Sequence, residues 1–122
     1  MEGNYSSFVD EETLYTGKRA ANGAALEKII RRLEETPEDI SPSTMSELNN
    51  AISFNLADLK RLHMMDSSDS DPLFSQFSLL CSKIKTLYYV HKEKFDEAID
   101  GIELLPTRDC LKRHLKTIGL EV

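Results

Sequence analysis

DPLFSQFSLLCSKIKTLYYVHKEKFDEAIDGI, residues 71–102, carries its apolar side chains at steps of three and four. Leu73, Phe77, Leu80, Ile84, Leu87, His91, Phe95, Ala98 and Ile102 form one line, which is the spacing of a single helix face. Asp71 is a good N-cap and Pro72 suits a first helical turn. The spacing therefore predicts a helix from 72 to about 100, roughly 40 Å long at 1.5 Å per residue, with Gly101 as a left-handed cap. A second column of Phe74, Cys81, Tyr88 and Ile99 widens the apolar face. A face that broad suits a helix touching two neighbours at once, so this third helix is expected to be central.

Upstream of it, residues 63–74 read HMMDSSDSDPLF. Asp66, Asp69 and Asp71 suggest calcium, but a calcium loop of the helix-loop-helix kind needs a central glycine, and none stands between Gly23 and Gly101. Caps and turn formers account for every residue in it, so the stretch reads as a solvated loop between two helices. Ser68 and Ser70, with acidic neighbours, are candidate phosphorylation sites; a phosphate there would favour the start of the third helix.

Before that loop a second helix is expected from Ser41-Pro42 to about Met65, with Met45, Leu48, Ile52, Leu56, Leu59 and Leu62 inward. Thr44 with Glu47 is a competing capping box. A first helix runs from about 23 to 35, capped by Asn22, with Leu26, Ile29, Ile30 and Leu33 on one face. Thr36-Pro37 breaks it. Residues 1–20 show no sustained period around Tyr5, Phe8, Leu14 and Tyr15 and read as a flexible acidic tail. Phe8, Leu14 or Tyr15 folding back onto the domain is the alternative. After Gly101, a short fourth helix is expected over about 107–118, with Leu111, Leu115 and Ile118 apolar and Gly119 at its C-cap. The fold class is all-α: an antiparallel three-helix core plus a short fourth helix, as one helical-bundle domain over 21–122.

Composition narrows the function classes. The chain has 122 residues, 40% apolar and 30% charged, which fits one globular domain. Net charge is −6, concentrated between Glu38 and Asp71, where seven acids face only Lys60 and Arg61. That balance argues against nucleic acid or an anionic membrane as partner. No apolar stretch has the length of a membrane span, and the acidic start does not resemble a signal peptide. Two cysteines, Cys81 and Cys110, are too few for a disulfide framework, so an intracellular setting, cytoplasmic or nuclear, is expected.

No cofactor motif is present; Tyr15-Thr16-Gly17-Lys18-Arg19 lacks the first glycine of a phosphate loop. No nucleophile motif appears. His63, His91 and His114 have no metal co-ligands at suitable spacing, so no metal site and no enzyme activity are expected. Arg108, Lys112 and Lys116, with Arg113 beside them, form a basic stripe that reads as a solvated face complementing the helix dipole.

The surplus is apolar. Phe54, Met64, Tyr89 and Val90 lie off the core stripes, and Phe74 at their edge. The expected function is a non-enzymatic protein–protein interaction module, an adaptor or regulatory subunit. It would dock a basic or amphipathic partner segment on Met64, Met65, Asp66, Asp69, Leu73 and Phe74 beside the acidic loop. The alternative is a scaffold subunit that homodimerises through the wide face of the third helix.

Leu105-Pro106-Thr107, Leu111, Thr117-Ile118-Gly119 and Val122 loosely resemble the signature of the family named for the N-terminal domain of elongation factor TFIIS. The offsets differ by one or more residues and the likeness covers about the last 18, so no functional residue follows from it.

Overall fold

Ser41-Pro42 shows how this chain starts a helix. Ser41 N–H donates to Thr44 Oγ1 at 2.9 Å and Thr44 N–H donates back to Ser41 Oγ at 3.3 Å, a reciprocal capping box one turn wide. Thr44 is thus the far partner of the Ser41 cap, not the start of a box with Glu47. Its hydroxyl is buried and donates to Asp39 O at 2.6 Å, while Glu47 turns to Arg32 at 3.6 Å.

The computed structural model describes residues 21–64 and 72–122, and the side chains of 21–60 and 74–122. Every regular element among them is helical. Helix α1 covers residues 21–35, a 3₁₀ turn covers Pro37–Asp39, and α2 runs Pro42–Met64. Then come α3 (Pro72–Val90), α4 (Lys92–Asp100) and α5 (Leu105–Thr117). No described helix is long and apolar enough to cross a membrane.

The third predicted helix is two. His91 sits between α3 and α4 at φ −120°, ψ 40°, outside helical geometry. Neighbouring backbone bonds survive, His91 N–H to Leu87 O at 2.9 Å and Phe95 N–H to His91 O at 3.0 Å. One residue therefore bends the rod without a loop. The stripe continues across the bend: Phe77, Leu80, Ile84, Leu87, Phe95, Ala98 and Ile102 are all buried. Since the period is unbroken and neither glycine nor proline marks the spot, apolar spacing could not reveal it.

Three further expectations shift. Asn22 lies within α1 rather than capping it. Its amide donates to Asp58 Oδ2 at 2.9 Å, and its carbonyl accepts from Asn55 Nδ2 at 3.0 Å, fastening α1 to α2. Gly101 is right-handed (φ −79°, ψ −7°), not left-handed. What it supplies is room, because a Cβ there would stand 2.7 Å from Pro42 Cγ. Helix α5 begins at Leu105, two residues early, over a turn that the Arg108 guanidinium ties by two bonds to Ile102 O, at 3.1 and 2.8 Å.

Gly119 fulfils its expectation. At φ +103° it closes α5 with Gly119 N–H on Lys116 O at 3.0 Å and Leu120 N–H on Leu115 O at 2.9 Å, the paired bonds of a Schellman motif. Leu120 and Leu115 are both buried, giving the apolar contact that accompanies it. An alanine here meets both a disfavoured backbone and Lys85 Nζ, 2.8 Å from its Cβ. Gly119→Ala should lower stability by about 1–2 kcal/mol in urea unfolding.

Helix α2 packs on α3, α4 and α5, most extensively on α5. The short last helix is a full core member, with Leu111 and Leu115 completely enclosed. From α1 come Leu26, Ile30 and Leu33. Gly23 seats the start of α1 against α3, where an added Cβ would fall 2.7 Å from Gln76 Oε1.

A candidate docking face on α3

Of the residues expected at the partner site, Phe74 alone has a described side chain, and it is half-buried near the start of α3. Met64 ends α2 and Leu73 lies in the first turn of α3, with side chains outside the described set. Met65, Asp66 and Asp69, and the candidate phosphorylation sites Ser68 and Ser70, lie outside the described residues. Phe54, Tyr89 and Val90, picked out as off the core stripes, are exposed. Leu79, Leu104 and Leu105 are exposed too and were not anticipated.

Three of these exposed residues share one helix face. The exposed residues of α3 are Ser75, Ser78, Leu79, Ser82, Thr86, Tyr89 and Val90. At 100° per residue they form one continuous sector opposite the buried stripe. None carries a charge. In α4, by contrast, the exposed positions are Lys92, Glu93, Lys94, Glu97 and Asp100, all charged. Leu79, Tyr89 and Val90 are 58%, 65% and 66% exposed, so their apolar area faces water. Between Leu79 and the Tyr89-Val90 pair, small Ser82 and Thr86 leave the surface low. The face runs about 22 Å, from Ser75 to Val90 at 1.5 Å per residue.

Its hydroxyls are partly satisfied already. Ser82 Oγ donates to Ser78 O at 3.2 Å and Thr86 Oγ1 donates to Ser82 O at 3.1 Å. Each bond to a carbonyl four residues back turns the hydroxyl proton inward. Covering the face therefore strips less water-bound polarity than its composition suggests. Lys83 and Lys85, the only charged residues of α3, stand at its two edges, and α3 has no acidic residue. The sector is legible in the sequence as the complement, over residues 75–90, of the Leu73–Leu87 part of the apolar line, since Ser, Thr, Leu, Tyr and Val recur there with no Glu, Asp, Lys or Arg.

A second cluster joins α2 to α5. His114 Nδ1 lies 3.1 Å from Asn49 Oδ1, and Cys110 Sγ lies 3.9 and 3.8 Å from the two ring nitrogens. An amide oxygen only accepts, so Nδ1 carries the proton. Cysteine, histidine and asparagine are the residue types of a thiol protease site, but here the sulfur stands at nearly equal distance from both ring nitrogens rather than closing on one. Burial, aided by Arg113, holds His114 below its ordinary 6.5. As pH falls below 6.5 the unfolded chain takes up this proton before the folded one. This histidine's stabilising term is thus complete above pH 6.5 and declines as pH drops from there toward the folded value. His114→Gln should flatten that part of the stability curve relative to wild type, measured by urea unfolding from pH 7.5 to 5.

The remaining groups are structurally engaged. Burial pushes the Cys81 thiol up to about 11, with Lys85 opposing weakly, so it is protonated at neutral pH. The basic stripe of α5 is broken up: Arg108 is held on Ile102 O and Lys112 stands 3.8 Å from Asp100. A shallow cleft of about 290 Å³ between α3, α4 and the chain end holds Tyr88, Asp96, Lys92 and Lys112. Lys92 Nζ pairs with Asp96 Oδ2 at 3.0 Å, and the Tyr88 hydroxyl lies 3.0 Å from Asp96 Oδ1. His91 is half-buried at the bend. Among the described residues, no three His, Cys, Asp or Glu side chains gather as a metal site.

No family model, curated protein or solved structure matches this chain.

Proposed function

We propose that this chain is a non-enzymatic protein–protein interaction module, an adaptor or regulatory subunit, whose α3 outward face receives an amphipathic partner helix. The observation that carries the reading is the uncharged solvent face from Ser75 to Val90, in a chain with 30% charged residues. An uncharged face with exposed apolar residues at both ends, Leu79 and Tyr89-Val90, suits a binding surface. The small Ser82 and Thr86 would let a second helix approach closely, with Leu79 and Tyr89-Val90 as anchors at either end. Lys83 and Lys85 favour acidic residues flanking the partner's apolar stripe. Phe74, half-buried near the start of α3, would extend the surface at that end. Free thiols at Cys81 and Cys110 suit a reducing compartment, cytoplasm or nucleus.

Self-association is the weaker reading. The broad core-facing stripe is buried within this chain, so a homodimer would have to use the outward face. Antiparallel pairing that sets Leu79 against Val90 brings the Lys83 and Lys85 side chains of two copies together without any acid on α3. Like charges so placed oppose the pairing.

A displayed library of helical peptides, with an i, i+3, i+4, i+7 apolar stripe and randomised flanks, tests the proposal when selected against the full chain. The expected binders carry Glu or Asp on both flanks, and their affinity falls with added salt. Binders with basic flanks, or none after selection, would overturn it.

A further inference from the structure

The start of α1 meets α3 at a telling place. Gly23 abuts the Gln76 side chain, and Gln76 lies two turns before Lys83 on the same edge of α3. The start of α1 therefore stands beside one edge of the uncharged face. The polypeptide before α1, residues 1–20, contains Tyr5, Phe8, Val9, Leu14 and Tyr15, with Glu2, Asp10, Glu11 and Glu12 over residues 2–12 and Lys18 and Arg19 next to α1, a net charge of −2. It combines aromatic and aliphatic anchors with negative charge, which is the chemistry that a face edged by Lys83 and Lys85 would recognise.

We infer that residues 1–20 are an internal ligand of the α3 outward face, competing with external partners for it. The inference rests on the docking reading above and names the occupant of the unliganded protein. Reach is ample: twenty residues span up to about 66 Å extended, or about 30 Å as a helix, against a face of about 22 Å. Tethering places the segment at an effective concentration on the order of millimolar, so even a weak contact is populated. Charge separates this occupant from a second copy, because the segment brings acids to the lysine edges and a second copy brings lysines.

The competition has a quantitative signature. If the segment covers the face about nine-tenths of the time, an external peptide binds with about 10-fold weaker apparent affinity than it would to the open face. Phe8→Asp/Leu14→Asp in the full chain should weaken the internal contact and tighten the external Kd by about that factor. Lys83→Glu should also weaken the internal contact, and Asp10→Lys/Glu11→Lys added to it should restore the contact.

The deciding experiment compares backbone amide spectra of the full wild-type chain and of Phe8→Asp/Leu14→Asp, both without partner. The expected result is a set of shifts concentrated at residues 75–90, reproduced by Lys83→Glu and reversed in the charge-swapped chain. Shifts confined to residues 1–20, or centred on another helix, would overturn the inference. A selected acidic peptide is then added to the same samples. If it still moves the α3 amides of a wild-type chain whose own segment does not touch them, the internal ligand fails and the docking reading stands. If the segment covers α3 and no peptide binds even the Phe8→Asp/Leu14→Asp chain, the docking reading fails and the segment is a fixed part of the fold.

Discussion

Phe95→Ala should cost about 3–5 kcal/mol, a large share of the roughly 5–15 kcal/mol that holds a domain of this size folded. Phe95 is completely buried, and its ring meets Tyr88 edge-on at 5.8 Å and 76°. It is also the first large core residue after the bend, its N–H closing on His91 O. Truncation removes most of the ring's buried area and leaves a cavity that close-packed neighbours fill only partly. The Tyr88 hydroxyl lies 3.0 Å from Asp96 Oδ1 and 3.2 Å from Glu121 O, so its ring is not free to slide into the gap. Urea unfolding of the full chain measures the effect, as a lower midpoint with an unchanged slope. A loss below about 1 kcal/mol would mean that the α3–α4 bend does not build this core.

Leu79→Asp/Tyr89→Asp should abolish binding of a selected acidic-flanked helix, by about 100-fold or more in Kd, while leaving the fold in place. Burying two carboxylates against an apolar partner stripe costs several kcal/mol, and the new charges also repel the partner's acidic flanks. In the free protein both positions face water, so each change should move stability by only about 0.5 kcal/mol. Fluorescence anisotropy with a labelled peptide reads the affinity, and helical circular dichroism with urea unfolding reads the fold. Leu104→Asp/Leu105→Asp is the matched control: these leucines are equally exposed but lie at the start of α5, so affinity should not change.

Much of this architecture is legible in the sequence, and its misses share a cause. Periods of three and four located the helices because burial imposes them, and the predicted positions Leu26, Leu48, Ile84 and Leu115 are buried. Glycine and proline gave ends where the backbone needed them, as at Gly119. Periodicity could not show the His91 bend, since a one-residue departure that keeps its flanking hydrogen bonds leaves the stripe intact. Nor could it show that Asn22 reaches Asp58 and Asn55, or that Gly101 is small for Pro42, because those contacts join residues remote in sequence. Apolar excess off the core stripes marks Tyr89 and Val90. Leu79 carries no such mark, because one leucine on a face of serines stands out only once the serines are exposed with it.

Backbone amide mapping of a selected acidic-flanked helix, titrated into the full chain, is the most direct test of the docking face. The predicted result is that the largest shifts fall between Ser75 and Val90, with Leu79, Ser82, Thr86 and Tyr89 foremost and α5 unchanged. Shifts centred on Phe54 or on Leu104 and Leu105, with α3 silent, would contradict it.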